Sequence, residues 1–193
     1  MDPKMSEGAV MGIFRQIVQG VSDIHSRGII HCDLKLMNIV CETEMNGQLL
    51  IKITDFGHAL KTDTPDEFIM PPATGTPGWQ APEILTNQLC SSKVDVWSIG
   101  CCLYTLLFAQ IPFPGRDEHQ IKSGVITRDV EFEGRTISEH CEALLTKMLE
   151  KDPKDRYSID EVMMHPWVGL KQNVVKIMKE ALRDDLIPSA MEE

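Results

Sequence analysis

Residues 28–40 read GIIHCDLKLMNIV, and three side chains in that stretch can do chemistry: Asp33, Lys35 and Asn38. Asp33 and Asn38 offer hard oxygen atoms that could share a metal ion, and a carboxylate there could take a hydroxyl proton. Cys32 stands where a positive charge would serve that chemistry. A second candidate is Asp55, in the triplet D-F-G at 55–57. Taken singly, either aspartate is more often a helix or turn cap than a catalyst.

The elements around these residues decide how they are presented. SEGAVMGIFRQIVQGVSDIHSRG predicts a helix, with Ser6 as its cap and Glu7 in its first turn. Val10, Ile13, Phe14, Ile17, Val18, Val21 and Ile24 recur at three and four and give one apolar stripe, which Gly28 ends. NIVCETEMNGQLLIKITD predicts a hairpin around Asn46-Gly47. DFGHALKTDTPDEFIMPPATGTPGWQAPE is a long irregular segment, and such loops are functional or disordered. SKVDVWSIGCCLYTLLFAQ is apolar nearly all round, which suits a core helix. Its apolar run is short for a membrane span of ~20 residues. ISEHCEALLTKMLEKDP carries an amphipathic stripe of Leu144, Leu145, Met148 and Leu149, stopped by Pro153. SIDEVMMHPWV predicts a short Ser-capped helix, and KQNVVKIMKEALRDDL a last amphipathic one. The expected fold class is mainly α with one small β-hairpin: a unit over 1–168 and a helical tail over 169–193.

Composition narrows the partners. The 193 residues carry a net charge of −10, with no Lys/Arg cluster to offer nucleic acid or an anionic membrane. The six cysteines form no C-x-x-C pair, so neither a zinc pattern nor a disulfide framework is expected. Reduced thiols suggest a cytoplasmic or nuclear setting.

Four stretches line up in order: H-C-D-L-K-L-M-N at 31–38, D-F-G at 55–57, G-T-P-G-W-Q-A-P-E at 75–83 and D-V-W-S-I-G at 95–100. On these the chain resembles the eukaryotic protein kinase family, whose signatures include H-R-D-L-x-x-x-N, D-F-G and A-P-E. The likeness covers the C-terminal lobe of that α+β fold; the N-terminal β lobe is expected to be absent. It implies transfer of the ATP γ-phosphoryl group to a protein, with Mg²⁺ as cofactor. Asp33 would accept the substrate hydroxyl proton, Lys35 would face the γ-phosphate, and Asn38 and Asp55 would hold Mg²⁺. Val40 would lie under the adenine ring. D-L-K with Thr76 in G-T-P implies a serine/threonine substrate, Thr76 bonding Asp33 and Lys35. The resemblance also implies scaffold roles. Asp95 would bond the catalytic-loop backbone, Glu83 would pair with Arg156, and His31 would stack on Phe56. The hairpin and the text LLTKMLEKDPKDRYSIDEVMMHPWV look closest to the calcium/calmodulin-dependent kinase group.

Three departures stand against that pattern. Cys32 replaces an arginine that in many kinases binds an activation-loop phosphate, and a thiol cannot do so. Phosphorylation at Thr62, Thr64 or Thr74 is therefore not expected to switch the protein in the usual way. Leu36-Met37 replaces a frequent Pro-Glu, and Thr105 brings no acid, so a preference for basic flanking residues is not implied. The residues ahead of the first helix hold no G-x-G-x-x-G strand-turn, V-A-I-K lysine or hinge. Losing half the contacts of a micromolar site leaves roughly millimolar binding. A weak or inactive kinase is expected, with apolar surface bare around Phe56 and Val40. That surface calls for a partner supplying the N-lobe, or a homodimer. The alternative reading is a non-catalytic interaction module: a kinase fragment or pseudokinase. The tail stripe of Val174, Ile177, Met178, Ala181 and Leu182 would pack on the lobe, hang free or mimic a calmodulin target.

Overall fold

The computed structural model describes residues 5–45, 47–61, 74–134 and 136–169. Helix α1 spans Glu7–His25, and the Ser6 side chain accepts from Ala9 N at its start. Val10, Phe14, Ile17, Val18 and Val21 are buried along one face, as the three-four spacing requires. Past its end Gly28 takes φ +69° and turns the chain into β1, Ile29–Ile30.

Strands β2 (Ile39–Thr43) and β3 (Leu49–Ile53) form the expected hairpin, registered from Ile39 opposite Ile53 to Thr43 opposite Leu49. Its inner face packs on α1, where a Cβ added to Gly20 would meet Ile53 Cδ1 at 3.0 Å. The sequence reading allowed one hairpin only. The structure adds a second antiparallel pair, β1 with β4 (Leu60–Lys61). Two residues a side carry no alternation to detect, and their pairing spans thirty positions, so only the folded chain reveals it.

Helix α2 is a single turn, Pro82–Leu85. Helix α3, Lys93–Phe108, is the axle of the molecule: every residue in it except Lys93, Thr105 and Leu106 is buried. That burial explains its all-round apolarity. Gly100 lets α5 approach closely, since a Cβ there would stand 3.1 Å from both Met148 Cβ and Leu149 Cδ2. Helix α4, Glu118–Thr127, was not anticipated; Asp117 caps it by accepting from Gln120 N. Helix α5 (Glu139–Met148) follows the expected stripe and is capped by Ser138; α6 (Ile159–Met164) is the expected short Ser-capped helix and closes a full capping box between Ser158 and Glu161. The fold is mainly α with small antiparallel sheets. The helical tail expected after Gly169, and Thr62 and Thr64, lie outside the described residues. Among those described, no helix is long and apolar enough to cross a membrane.

Candidate active site

The loop from His31 to Asn38 leaves β1 and enters β2, so both ends are tied to strands. Its backbone is held from below by Asp95 in the first turn of α3, which is fully buried. Asp95 Oδ2 accepts from His31 N at 2.8 Å, and Oδ1 accepts from Cys32 N at 2.9 Å. The His25 ring, at the end of α1, meets the same Oδ2 at 2.8 Å. Cys32 sits at φ +66°, a left-handed conformation that costs a non-glycine residue on the order of 1–3 kcal/mol. Charge-assisted bonds from its own N–H and its neighbour's to Asp95 offset that cost. Burial, and after it the negative charge of Asp95, push the Cys32 thiol far up, so it brings neither a cation nor a thiolate to the loop.

Above this base, three side chains close a triangle. Lys35 Nζ lies 2.7 Å from Asp33 Oδ2 and donates to Thr76 Oγ1 at 2.7 Å. Thr76 Oγ1 donates in turn to Asp33 Oδ1 at 2.7 Å. Asp33 is buried, while Lys35 and Thr76 are partly open. Thus the 31–38 loop and the 75–83 stretch, forty residues apart, are joined at the side chains expected to do the chemistry.

Asn38 is fixed from both sides. Its Nδ2 donates to Asp33 O at 2.9 Å, and its own carbonyl accepts from Thr54 N at 2.9 Å and Thr54 Oγ1 at 3.2 Å. Asp55 follows directly, at φ +63°, with Oδ1 accepting from Gly57 N at 3.4 Å. The His31 ring ties the two loops again: Nε2 bonds Thr54 O at 3.0 Å, and the ring packs on Phe56 with centroids 4.9 Å apart. Val40 lies two positions beyond Asn38 on β2 and is 39% exposed.

The donor set fits magnesium. That ion takes oxygen ligands, usually one or two from protein, and completes its shell with phosphate oxygens and water. Asn38 spends its amide N–H groups inward on Asp33 O, and among the described residues neither Asn38 Oδ1 nor Asp55 Oδ2 accepts a hydrogen bond. Among those residues, too, no three His, Cys, Asp or Glu side chains gather into a metal cage, and such a site needs none.

Behind the site, Arg156 and Glu83 form a bidentate pair at 2.6 and 2.8 Å, with both side chains buried. Arg156 also donates to the carbonyls of Lys93, Glu150 and Lys151, so no part of the charge is left unpartnered. This pair fastens the stretch ending in α2 to the loop before α6. Sequence reading placed Asp95, Glu83, Arg156, His31 and Phe56 where the structure has them. It missed His25, Gln80 and Ser98, whose Oγ donates to Trp79 O at 2.9 Å. His25 carries no local signal for a partner seventy positions away.

The protein kinase domain family matches residues 2–168 of this chain. The chain belongs to the protein kinase family. Among its relatives is the serine/threonine-protein kinase PLK4 of Nematostella vectensis, 35% identical over 190 residues, which cover 97% of this chain and 18% of the relative. The PLK4 of Xenopus tropicalis is 35% identical over 183 residues, 94% of this chain and 18% of the relative. The PLK4 of Drosophila virilis is 33% identical over 168 residues, 87% and 21% respectively. The chain thus spans about a fifth of the length of the curated relatives it matches. These kinases support the serine/threonine class; they do not carry the nearer likeness to the calcium/calmodulin-dependent group that the hairpin suggested.

Proposed function

We propose that this chain carries the catalytic loop of a serine/threonine protein kinase and transfers the γ-phosphoryl group of ATP to a protein hydroxyl. The observation that carries the reading is the Asp33–Lys35–Thr76 triangle, closed by three contacts of 2.7 Å. In it Asp33 receives the proton of the attacking serine or threonine hydroxyl. Lys35 holds Asp33 in place and offers its cation to the γ-phosphate. Thr76 fixes the rotamers of both. Asn38 and Asp55 would hold magnesium, and Val40 would lie beneath the adenine. Magnesium, when bound, supplies positive charge against the phosphate oxygens.

The test is transfer of labelled γ-phosphate at millimolar ATP to a protein rich in Ser and Thr, comparing the chain with Asp33→Asn and Asp55→Asn. The expected signal is weak in the wild type and at least about 100-fold lower in each variant. Equal signal in all three removes the catalytic claim.

A second reading, binding without transfer, draws on exposed apolar side chains beside the site: Met37 at 63%, Val40 at 39% and Phe56 at 45%. On either reading that apolar face takes a cover. Static light scattering that shows a stable monomer at high concentration counts against the cover. We also propose a reducing compartment, the cytoplasm or nucleus, because the cysteine spacing in the sequence follows neither a zinc pattern nor a disulfide framework.

A further inference from the structure

Gln80 sits in GTPGWQAPE, where neither core periodicity nor the chemistry of the triangle asks for a long amide. It is only 6% exposed. Its Nε2 donates to Thr74 O at 2.7 Å, and Thr74 is itself 8% exposed. Its Oε1 is buried and, among the described residues, has no hydrogen-bond partner. A buried amide with one half unpaired is costly to keep, so the half that is used needs a reason.

The reason lies in what the used bond closes. Thr74 is two residues before Thr76. Between them Gly75 takes φ +93°, and a Cβ there would stand 3.2 Å from Cys32 O and 3.2 Å from Gln80 Cγ. Residue 75 therefore lies in a slot between the catalytic-loop backbone and the Gln80 stem, in a conformation that glycine alone adopts at no cost. One residue further on, Thr76 Oγ1 reaches Asp33 and Lys35. Thr76 O accepts from Trp79 N at 3.1 Å, and Trp79 O is held by Ser98 of α3. The strip 74–76 is thus pinned at one end by Gln80 and at the other by the triangle. Position 32 is a buried thiol, so the one catalytic-loop cation seen on the strip is Lys35, at Thr76 Oγ1.

We infer that Gln80 is a positioning residue: its amide holds the Thr74–Thr76 strip against the catalytic loop and so keeps Thr76 Oγ1 on Asp33 and Lys35. Its consequence for transfer rests on the kinase reading above; the positioning itself does not.

The experiment is acylation of the full chain by a neutral amine-reactive ester, with the rate at each lysine read by peptide mass spectrometry. Gln80→Met keeps the length of the side chain and loses the donor. Gln80→Glu sets a carboxylate oxygen against the Thr74 carbonyl. Lys93 and Lys151 are internal controls, because their amines are held elsewhere by the carbonyls of Pro153 and Arg156 and of Val125. Lys35 is expected to label about fivefold faster in Gln80→Met, as loss of one net hydrogen bond implies, and faster still in Gln80→Glu. Rates at Lys93 and Lys151 stay at wild-type values. In the transfer assay, kcat falls in both variants while the KM for ATP holds. Equal Lys35 rates in all three proteins overturn the inference. So does a matching rise at all three lysines, which reduces Gln80 to packing. Should Gln80→Met lose its thermal transition, Gln80→Glu, of glutamine's own size, decides. A wild-type chain without transfer sinks the kinase reading and leaves the labelling result to stand or fall by itself.

Discussion

Two carboxylate–cation pairs in this molecule approach to the same 2.6 Å and live in opposite surroundings. Arg156 and Glu83 lie behind the site with side chains 0% and 1% exposed. Lys52 and Glu42 face each other across the β2–β3 hairpin at 49% and 52% exposed. The buried pair belongs to a collar around α3 that also includes Asp95, and every charge there has its partners. The hairpin pair competes with water on all sides. Identical distances therefore carry different weight: the collar sets geometry, whereas the hairpin owes its shape to its ladder and to the packing of Ile53 on α1.

The comparison can be broken at its strong end first. Arg156→Met leaves Glu83 buried and uncompensated and frees three carbonyls. It is expected to lower unfolding stability by about 4 kcal/mol in urea titration. A loss no larger than that of the hairpin variant below would end the distinction. Asp95→Asn is next. The amide can still accept one N–H of the two it now takes from His31 and Cys32, and the charge is gone. A loss of about 2 kcal/mol is expected. Because Cys32 is left-handed, the same variant should also speed hydrogen exchange at the 31–33 amides.

Lys151 sharpens the contrast at the collar's edge. Burial pushes its ammonium down from 10.5 to about 8. Three contacts oppose the shift: a bond to Val125 O at 2.8 Å, and the rings of Phe113 and Trp97 at 3.8 and 5.0 Å from Nζ. The unfolded chain keeps the ordinary value, so between pH 8 and 10.5 it binds more protons than the folded one. Stability from this group is therefore reduced below pH 8 and recovers as pH rises toward 10.5. Lys151→Met, compared with wild type across that window by chemical denaturation, should remove the rise. The weak end comes last: Lys52→Ala is expected to cost less than about 0.5 kcal/mol, and still less in high salt.

Much of the helical frame was legible because its signals are local. Ser6 and Ser158 cap their helices as side-chain acceptors, and the stripes of α1 and α5 are the buried faces. Helix α4 had a readable start in Asp117-Glu118, but its interior, with Gly124 among polar residues, offers only Ile121 and Val125 as a stripe. The β1–β4 pair had no signal at all. At the site, Asp33, Lys35, Asn38, Asp55 and Thr76 were named from motif order. Gln80 and His25 were not, because a glutamine in a loop and a histidine at a helix end mean nothing until their partners are known.

By itself, then, the sequence determined the hairpin, the helices other than α2 and α4, and the order in which the reactive side chains come, since caps, periodicity and turn residues act within a few positions. The tertiary structure alone decided that Thr76 meets Asp33 and Lys35, that Cys32 bends left-handed over Asp95, and that Gln80 turns inward onto Thr74. The first two are contacts between distant parts of the chain, and the third, though only six positions long, closes over Gly75 against the backbone of Cys32. Only the burial of α3 and the cover of α1 give such contacts a dry, fixed place to form.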